Sequence, residues 1–294
     1  MWYSILFVIT SSFASILVQK LYFVIPSTLT LLVTSIIATL YFNGINLGHL
    51  RSMHAHCWQH KSLWLSIMAI ILVMWYSTMT GPGMIGASLY RFLYFAWLGM
   101  LGFWFLAFKK PTINRQSLLC GLFVVVLLAG LLGDYFWRHA WSMHELIGIA
   151  LPLVGGTASF VYFKQSEALT KRTQLTATQV LAIRFYLTIV VLLLLVPTHH
   201  SIALLTPMHL LILAVVAVFS LIIPLYCMQK ALEKIGSERN AILISLAPIV
   251  TAFLEEAAFH DVRFQYLIVY GLYTAMLIAV YVWKISQGKQ RLDS

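Results

Sequence analysis

Ten apolar runs, each close to twenty residues and separated by short polar connections, constrain this chain more than any other feature. They fall at about 2–19, 26–43, 62–80, 83–108, 116–133, 145–164, 176–196, 208–228, 237–258 and 264–284. Crossing roughly 30 Å of hydrocarbon takes about 20 residues at helical rise, and in hydrocarbon each segment must satisfy its own backbone polar groups. The runs predict an all-α membrane protein with ten transmembrane helices. Only 10% of the residues are Asp, Glu, Lys or Arg and 61% are hydrophobic, whereas soluble domains carry about 25% charged residues. Little chain is left over for a soluble domain. The first run lacks the basic n-region and small-residue cleavage site of a signal peptide, so it reads as the first span. Cys57, Cys120 and Cys227 lie in or beside different runs and give no disulfide framework.

Lysine and arginine set the orientation, because cytoplasmic loops carry the excess of positive charge. With the N-terminus inside, the inner loops and tail hold Arg51, Lys61, Lys109, Lys110, Arg115, Lys164, Lys171, Arg172, Lys230, Lys234, Arg239, Lys284, Lys289 and Arg291. The outer loops hold Lys20, Arg138 and Arg263. N-in and C-in follows. The net charge of +10 reports this topology and not a basic soluble face, so no nucleic-acid partner is expected. Five helices per half, over residues 1–140 and 141–294, make the second half enter from the opposite side. Inverted repeats of this kind place a solute site at their interface near the midplane.

Leu232 to Glu255, LEKIGSERNAILISLAPIVTAFLE, runs from a charged glycine turn into an apolar helix with a proline. A weaker echo, STMTGPGMIGASLYRFLYFAW, ends at Trp97. Setting Gly81 on Gly236 puts Gly86 on Ala241 and Tyr90 on Ser245, so small residues recur at one depth in both halves.

From Glu145 onward the chain carries GxxLPLVGGTASFVYFKQ in outline, TATQVLAIRF with an arginine, and PLYCMQKALEKIGSERNAILISLAPIVTAFLE. This resembles the EamA repeat of the drug/metabolite transporter superfamily. Arg184, Ala231, Leu232, Gly236, Ala241, Leu246, Pro248 and Glu255 carry the likeness. The first half is similar in layout only: Thr34 stands where an arginine would match Arg184, and Leu93 where a proline would match Pro248. The resemblance implies a ten-helix fold and transport of a small molecule, with an amino acid or derivative preferred as substrate; nucleotide-like metabolites and cationic drugs stay open.

Arg91 is the most informative residue, about eight residues into its run, at a depth where a charge usually faces a cavity or a partner. Its fork can grip a carboxylate while neighbouring rings hold the rest of a solute; the competing reading is snorkelling to the outer interface. Tyr90, Tyr94 and Trp97 share one helical face beside it. Trp75, Tyr226, Gln229, Tyr270 and Tyr273 complete the expected substrate cavity. Arg184, two turns inside its run, reads as a structural anchor or a gating element. Pro224 and Pro248 free backbone carbonyls and permit bends, and are expected to gate. Glu255 and Glu256 close the ninth run as interface markers or proton-coupling acids. In the first run Thr10, Ser11, Ser12, Ser15 and Gln19 form a weakly polar stripe, read as helix packing through small residues or as part of a cavity wall.

The loop with His49, His54, His56, Cys57 and His60 has no metal-site spacing and reads as a solvated cytoplasmic loop. There is no His-Glu-x-x-His helix, no Gly-x-Ser-x-Gly elbow and no Walker-type loop. The chain is therefore expected to be no enzyme, to need no cofactor and to draw on a gradient. A multi-pass protein of a bacterial inner membrane, monomer or homodimer, working by alternating access, is the expectation.

Overall fold

The computed structural model describes residues 2–108, 115–138, 142–196, 205–260 and 264–290, and among them the regular structure is helical throughout. Helix α1 (Trp2–Tyr22) is followed by Pro26, whose fixed φ suits the residue before α2 (Ser27–Ile45). Inside α2 the Thr34 hydroxyl donates to the Thr30 carbonyl at 2.7 Å, which hides a polar group within an apolar segment. A 3₁₀ turn (Leu47–His49) then leads into a short α3 (Leu50–Gln59).

Helix α4 (Lys61–Ile85) and α5 (Ala87–Phe108) follow, then α6 (Arg115–Arg138) and α7 (Met143–Thr173). Ser142 and Glu145 start α7 with a reciprocal capping box, and Gln174 ends it in a left-handed conformation at φ 55°. Next come α8 (Ala177–Ala182) and α9 (Tyr186–Leu195), α10 (Pro207–Val216), a π-helical stretch (Ala217–Ile222), α11 (Ile223–Ile244), α12 (Ala247–Phe259) and α13 (Phe264–Gln290). Among the described residues, 7 stretches are long and apolar enough to cross a membrane: α1, α2, α4, most of α6, α7, Ala177–Leu195 and Pro207–Ser237.

Helix α4 lies along α7, α1 lies against α11 and α12, and α5 is clasped between α6, α7 and α12. One apolar cluster joins α1, α2, α4, α7 and α11; a second gathers Phe92, Leu93, Phe103, Tyr270 and Tyr273 on the far side of α5. Helix α5 is thus the wall between the two.

The breaks fall elsewhere than the sequence suggests. Gly81-Pro82-Gly83, expected as a turn, lies inside α4, where a side chain on Gly81 would run into the Tyr90 ring and one on Gly83 into the Tyr22 ring. Those glycines give close packing; the chain turns at Gly86, with φ 85° and ψ 151°. The register counted from Gly81 is corrected accordingly: counted from the break, Leu98 and not Leu93 stands where Pro248 stands after Gly236. The His-rich loop is also more ordered than expected, since most of it forms α3.

Candidate functional site

A cavity opens where α1, α4, α5, α7 and α11 meet, lined among others by Ser11, Ser15, Trp75, Tyr90, Arg91 and Tyr94. Its volume is about 40 Å³, room for a few waters and well below the roughly 300–1,000 Å³ of small-molecule sites. Holding a metabolite requires the helices to move apart.

Arg91 is only 5% exposed. Its Nε donates to the Ser15 hydroxyl, a terminal nitrogen donates to the Ser11 carbonyl, and the guanidinium lies 5.3 Å from the centre of the Phe95 ring. Among the described residues no carboxylate pairs with it. Ser11 and Ser15 are one turn apart on α1 and so reach it together.

The wall opposite is phenolic. The Tyr90 hydroxyl meets Ser77 Oγ at 2.9 Å, and Ser77 in turn donates to the Leu151 carbonyl at 2.6 Å. Tyr94 bonds Ser159 of α7, and the Tyr90 and Tyr94 rings tilt together with centroids 5.7 Å apart. The close approach of α7 to α4 and α5 needs Gly155 and Gly156: a side chain at Gly155 would press on Ser77 of α4 and the Tyr94 ring of α5, and one at Gly156 on the Tyr94 carbonyl.

Of the expected substrate residues, Arg91, Tyr90, Tyr94 and Trp75 meet at this cavity. The others do not. Tyr226 packs edge-on against Tyr3 at 6.4 Å. Tyr270 stacks on Phe92 at 4.8 Å, and Tyr273 donates to the Phe95 carbonyl at 3.1 Å. Both tyrosines are buried, but against the back of α5. Trp97, expected only to share a helical face with Tyr90 and Tyr94, donates its indole N–H to Thr157 at 2.8 Å. Gln229 accepts from Tyr162 at 3.2 Å and from Ser166 at 3.1 Å, and lines a separate vestibule of about 160 Å³ with Glu167, Thr170, Lys171, Glu233 and Gly236.

Sequence reasoning left Ser159, Phe163, Met74 and Ser220 out of the cavity wall. They look like ordinary packing residues until the neighbouring helix is known. In the α1 stripe both readings hold. Ser4 donates to Asn240 at 3.0 Å and Ser12 accepts from Thr251 at 2.9 Å, packing α1 on α11 and α12, while Ser11 and Ser15 face the cavity.

Two carboxylates hold the helix breaks. Glu255, only 5% exposed, accepts the backbone N–H groups of Ala87 at 2.9 Å and Ser88 at 2.7 Å, with Gln19 also 3.2 Å from the Ala87 nitrogen. These are the orphan donors at the start of α5. At the other break, Glu167 accepts from both the backbone and the side chain of Ser237, just past Gly236 at φ 78° and ψ 167°. Glu256 differs from its neighbour: it is partly exposed and lies 3.9 Å from His260.

Pro224 lies inside the continuous helical run Pro207–Ser237, just after its π-helical stretch, where the missing N–H leaves a carbonyl of the preceding turn without its helical partner. Pro248 instead sits in the first turn of α12, where the missing N–H removes nothing. The π-helical stretch precedes Pro224, and a turn at Ser245 and Leu246 precedes Pro248.

Arg184 lies at the break between α8 and α9 and is fully buried. One terminal nitrogen donates to the Tyr162 hydroxyl at 2.8 Å, while Nε and the other terminal nitrogen have no partner. The Phe185 ring lies 4.8 Å from the guanidinium.

The histidines of α3 bond their own helix. His54 and His56 use Nδ1 on the Leu50 and Ser52 carbonyls, each at 2.7 Å, and His54 stacks on Tyr186. Burial pushes the Cys57 thiol up to about 11, away from the thiolate that binds metal. Among the described residues no group of three or more His, Cys, Asp or Glu could hold a metal ion.

Residues 146–283 match the EamA-like transporter family. No curated protein matches the sequence significantly. Twenty-one solved chains match in structure; one, a crystal structure described only as a protein, aligns over 92% of this chain and 93% of its own at a TM-score of 0.58 and 13% identity. At that identity the likeness shows the fold alone.

Proposed function

We propose that this chain, a multi-pass membrane protein whose residues 146–283 form an EamA-like transporter unit of the drug/metabolite transporter superfamily, is a secondary-active carrier of a small anionic or zwitterionic metabolite. An amino acid or derivative is the preferred substrate. The carrier works by alternating access between two inverted five-helix halves, residues 1–140 and 141–294, ten helices in all with both termini inside. Its setting is a bacterial inner membrane, as monomer or homodimer.

Arg91 carries the reading. It is a buried charge on a cavity wall, paired with hydroxyl, carbonyl and ring but with no carboxylate among the described residues. In a membrane interior such a residue is by default part of a solute pathway. Tyr90, Tyr94 and Trp75 supply the ring faces that hold the uncharged part of the solute. The cavity's 40 Å³ fits an occluded state between two open ones.

The test is a ligand-induced thermal-shift screen of the detergent-purified protein and Arg91→Ala against amino acids, organic acids, nucleotides and cationic drugs. A solute that binds the folded state raises its apparent stability by mass action. A shift with one anionic or zwitterionic class, absent in the variant, is the expected result. A shift with cationic drugs alone, indifferent to Arg91, replaces this reading with a multidrug exporter.

A further inference from the structure

Among the described residues Arg184 has no acidic partner, and yet it is removed from water altogether. Its guanidinium presents five N–H donors, and in the structure one terminal nitrogen is engaged, by Tyr162, while Nε and Nη2 are buried without a partner. A buried charge left unpaired is strongly destabilising. Tyr162 can bond Gln229 without the charge, and the Tyr162 and Phe185 rings, 5.6 and 4.8 Å from the guanidinium, give it cation–π contact in place of an acid.

The surroundings give the charge a use. On one side, the Tyr162 hydroxyl donates a hydrogen bond to the amide oxygen of Gln229, a wall of the vestibule at Gly236. On the other side, Phe185 is 6.4 Å from Trp75, which lines the central cavity, and the Trp75 indole nitrogen is itself a buried donor without a partner. Arg184 therefore touches residues that lead to the cavity on one side and to the vestibule on the other, and the buried groups without a partner in this region are donors: its own Nε and Nη2, the Trp75 indole N–H and the Thr188 hydroxyl one turn on.

We propose that Arg184 is an anion-binding station, separate from Arg91, that receives a compact anion through its free Nε and Nη2 as the solute passes between the cavity and the vestibule. The occupant is a carboxylate or a small inorganic anion; both offer the in-plane acceptors a guanidinium fork takes. The station deepens the carrier reading but does not depend on Arg91 being a solute contact.

The experiment is thermal unfolding of the full-length detergent-purified parent, Arg184→Met, Arg184→Lys and Arg91→Gln in sodium gluconate, with gluconate replaced at constant ionic strength by chloride, nitrate, acetate or glycine. The parent is expected to melt higher in at least one of these, with a rise that saturates. Arg184→Met should lose that rise yet melt no lower than the parent in gluconate, because the unpaired charge has gone. Arg184→Lys, with one compact donor in place of the fork, should need at least severalfold more anion. Arg91→Gln, which alters the proposed solute site, should still keep any rise given by chloride or nitrate. A response to acetate and glycine but not to chloride and nitrate assigns the site to a solute carboxylate, and a response to all four assigns it to an inorganic anion as well. A parent indifferent to every anion, a chloride or nitrate rise that persists in Arg184→Met, an acetate or glycine rise that Arg184→Met leaves at the parent's size, or an Arg184→Met that melts well below the parent would each overturn the proposal. A rise lost in Arg91→Gln alone would place the anion at Arg91 instead.

Discussion

Gly86 and Gly236 leave the helical path by nearly the same rotation, at φ 85° and ψ 151° and at φ 78° and ψ 167°. Each is followed by a helix start that meets a carboxylate: Glu255 takes the Ala87 and Ser88 N–H groups at the first, and Glu167 takes the Ser237 N–H and hydroxyl at the second. The likeness makes each break a latch: a glycine hinge closed by one acid from another helix.

Both glycines occupy a region that side chains avoid. At Gly86 a Cβ would also come within 3.3 Å of Glu255, whereas at Gly236 nothing lies within 4 Å. Gly86→Ala and Gly236→Ala should each destabilise the protein by about 1–3 kcal/mol from backbone strain alone, with Gly86→Ala the worse. Thermal unfolding of both variants checks this; an unchanged midpoint for Gly236→Ala would show that the break relaxes freely.

Glu255→Gln removes the charge that takes two N–H groups at a helix start. Hydrogen bonds to charged groups are worth about 1.5–3 kcal/mol, and stability should fall by that order. Glu256→Gln, at a partly exposed site beside His260, should stay within about 0.5 kcal/mol. If Glu255 also carries a coupling proton, its variant abolishes uptake driven by a pH gradient in liposomes while counterflow of the solute persists. Equal behaviour of the two variants would remove any special role for Glu255.

Close contact of α7 with both α4 and α5 depends on two adjacent glycines. A Cβ at Gly155 would come within 2.5 Å of Ser77 Oγ, and one at Gly156 within 2.8 Å of the Tyr94 carbonyl oxygen, whereas Gly102 has nothing within 4 Å. Gly155→Leu and Gly156→Leu should lower stability by about 1–3 kcal/mol through overpacking and weaken solute binding by displacing Tyr94. Gly102→Ala is the matched control and should be neutral or slightly stabilising, since alanine favours the helix. Binding isotherms alongside melts separate the two effects.

The sequence makes the helices legible because hydropathy and length are local properties, and the 7 long apolar stretches follow from them. Arg91 stands out for a similar reason: a charge in an apolar run is visible without knowing its neighbours. Tyr270 and Tyr273 show where that kind of reading stops. Their spacing correctly puts them on one face, but only the packing of α13 on α5 shows that this face meets Phe92 and not the cavity. Gly81 misleads for the converse reason, since a glycine beside a proline signals a turn locally and here serves instead to admit the Tyr90 ring. The serines of α1 lie between these cases, with spacing that fixes their stripe and partners that divide it into packing and cavity positions.

Pro248 offers the sharpest test of where motion is stored. In the first turn of α12 its missing N–H breaks no bond, but it stops α12 from joining α11 through the turn at Ser245 and Leu246, where the nitrogens reach the Ala241 and Leu243 carbonyls at 3.2 and 3.3 Å. An alanine there regains a donor that can reach the Ile244 carbonyl and continue the helix across the turn. Pro248→Ala should therefore change stability by no more than about 1 kcal/mol, the gain in helix offsetting the looser unfolded chain. The turnover rate in liposomes should fall severalfold while solute affinity stays the same, because a hinge acts on the exchange between states and not on the contacts within one. An unaltered rate would locate the moving joint elsewhere, with the π-helical stretch before Pro224 the next place to cut.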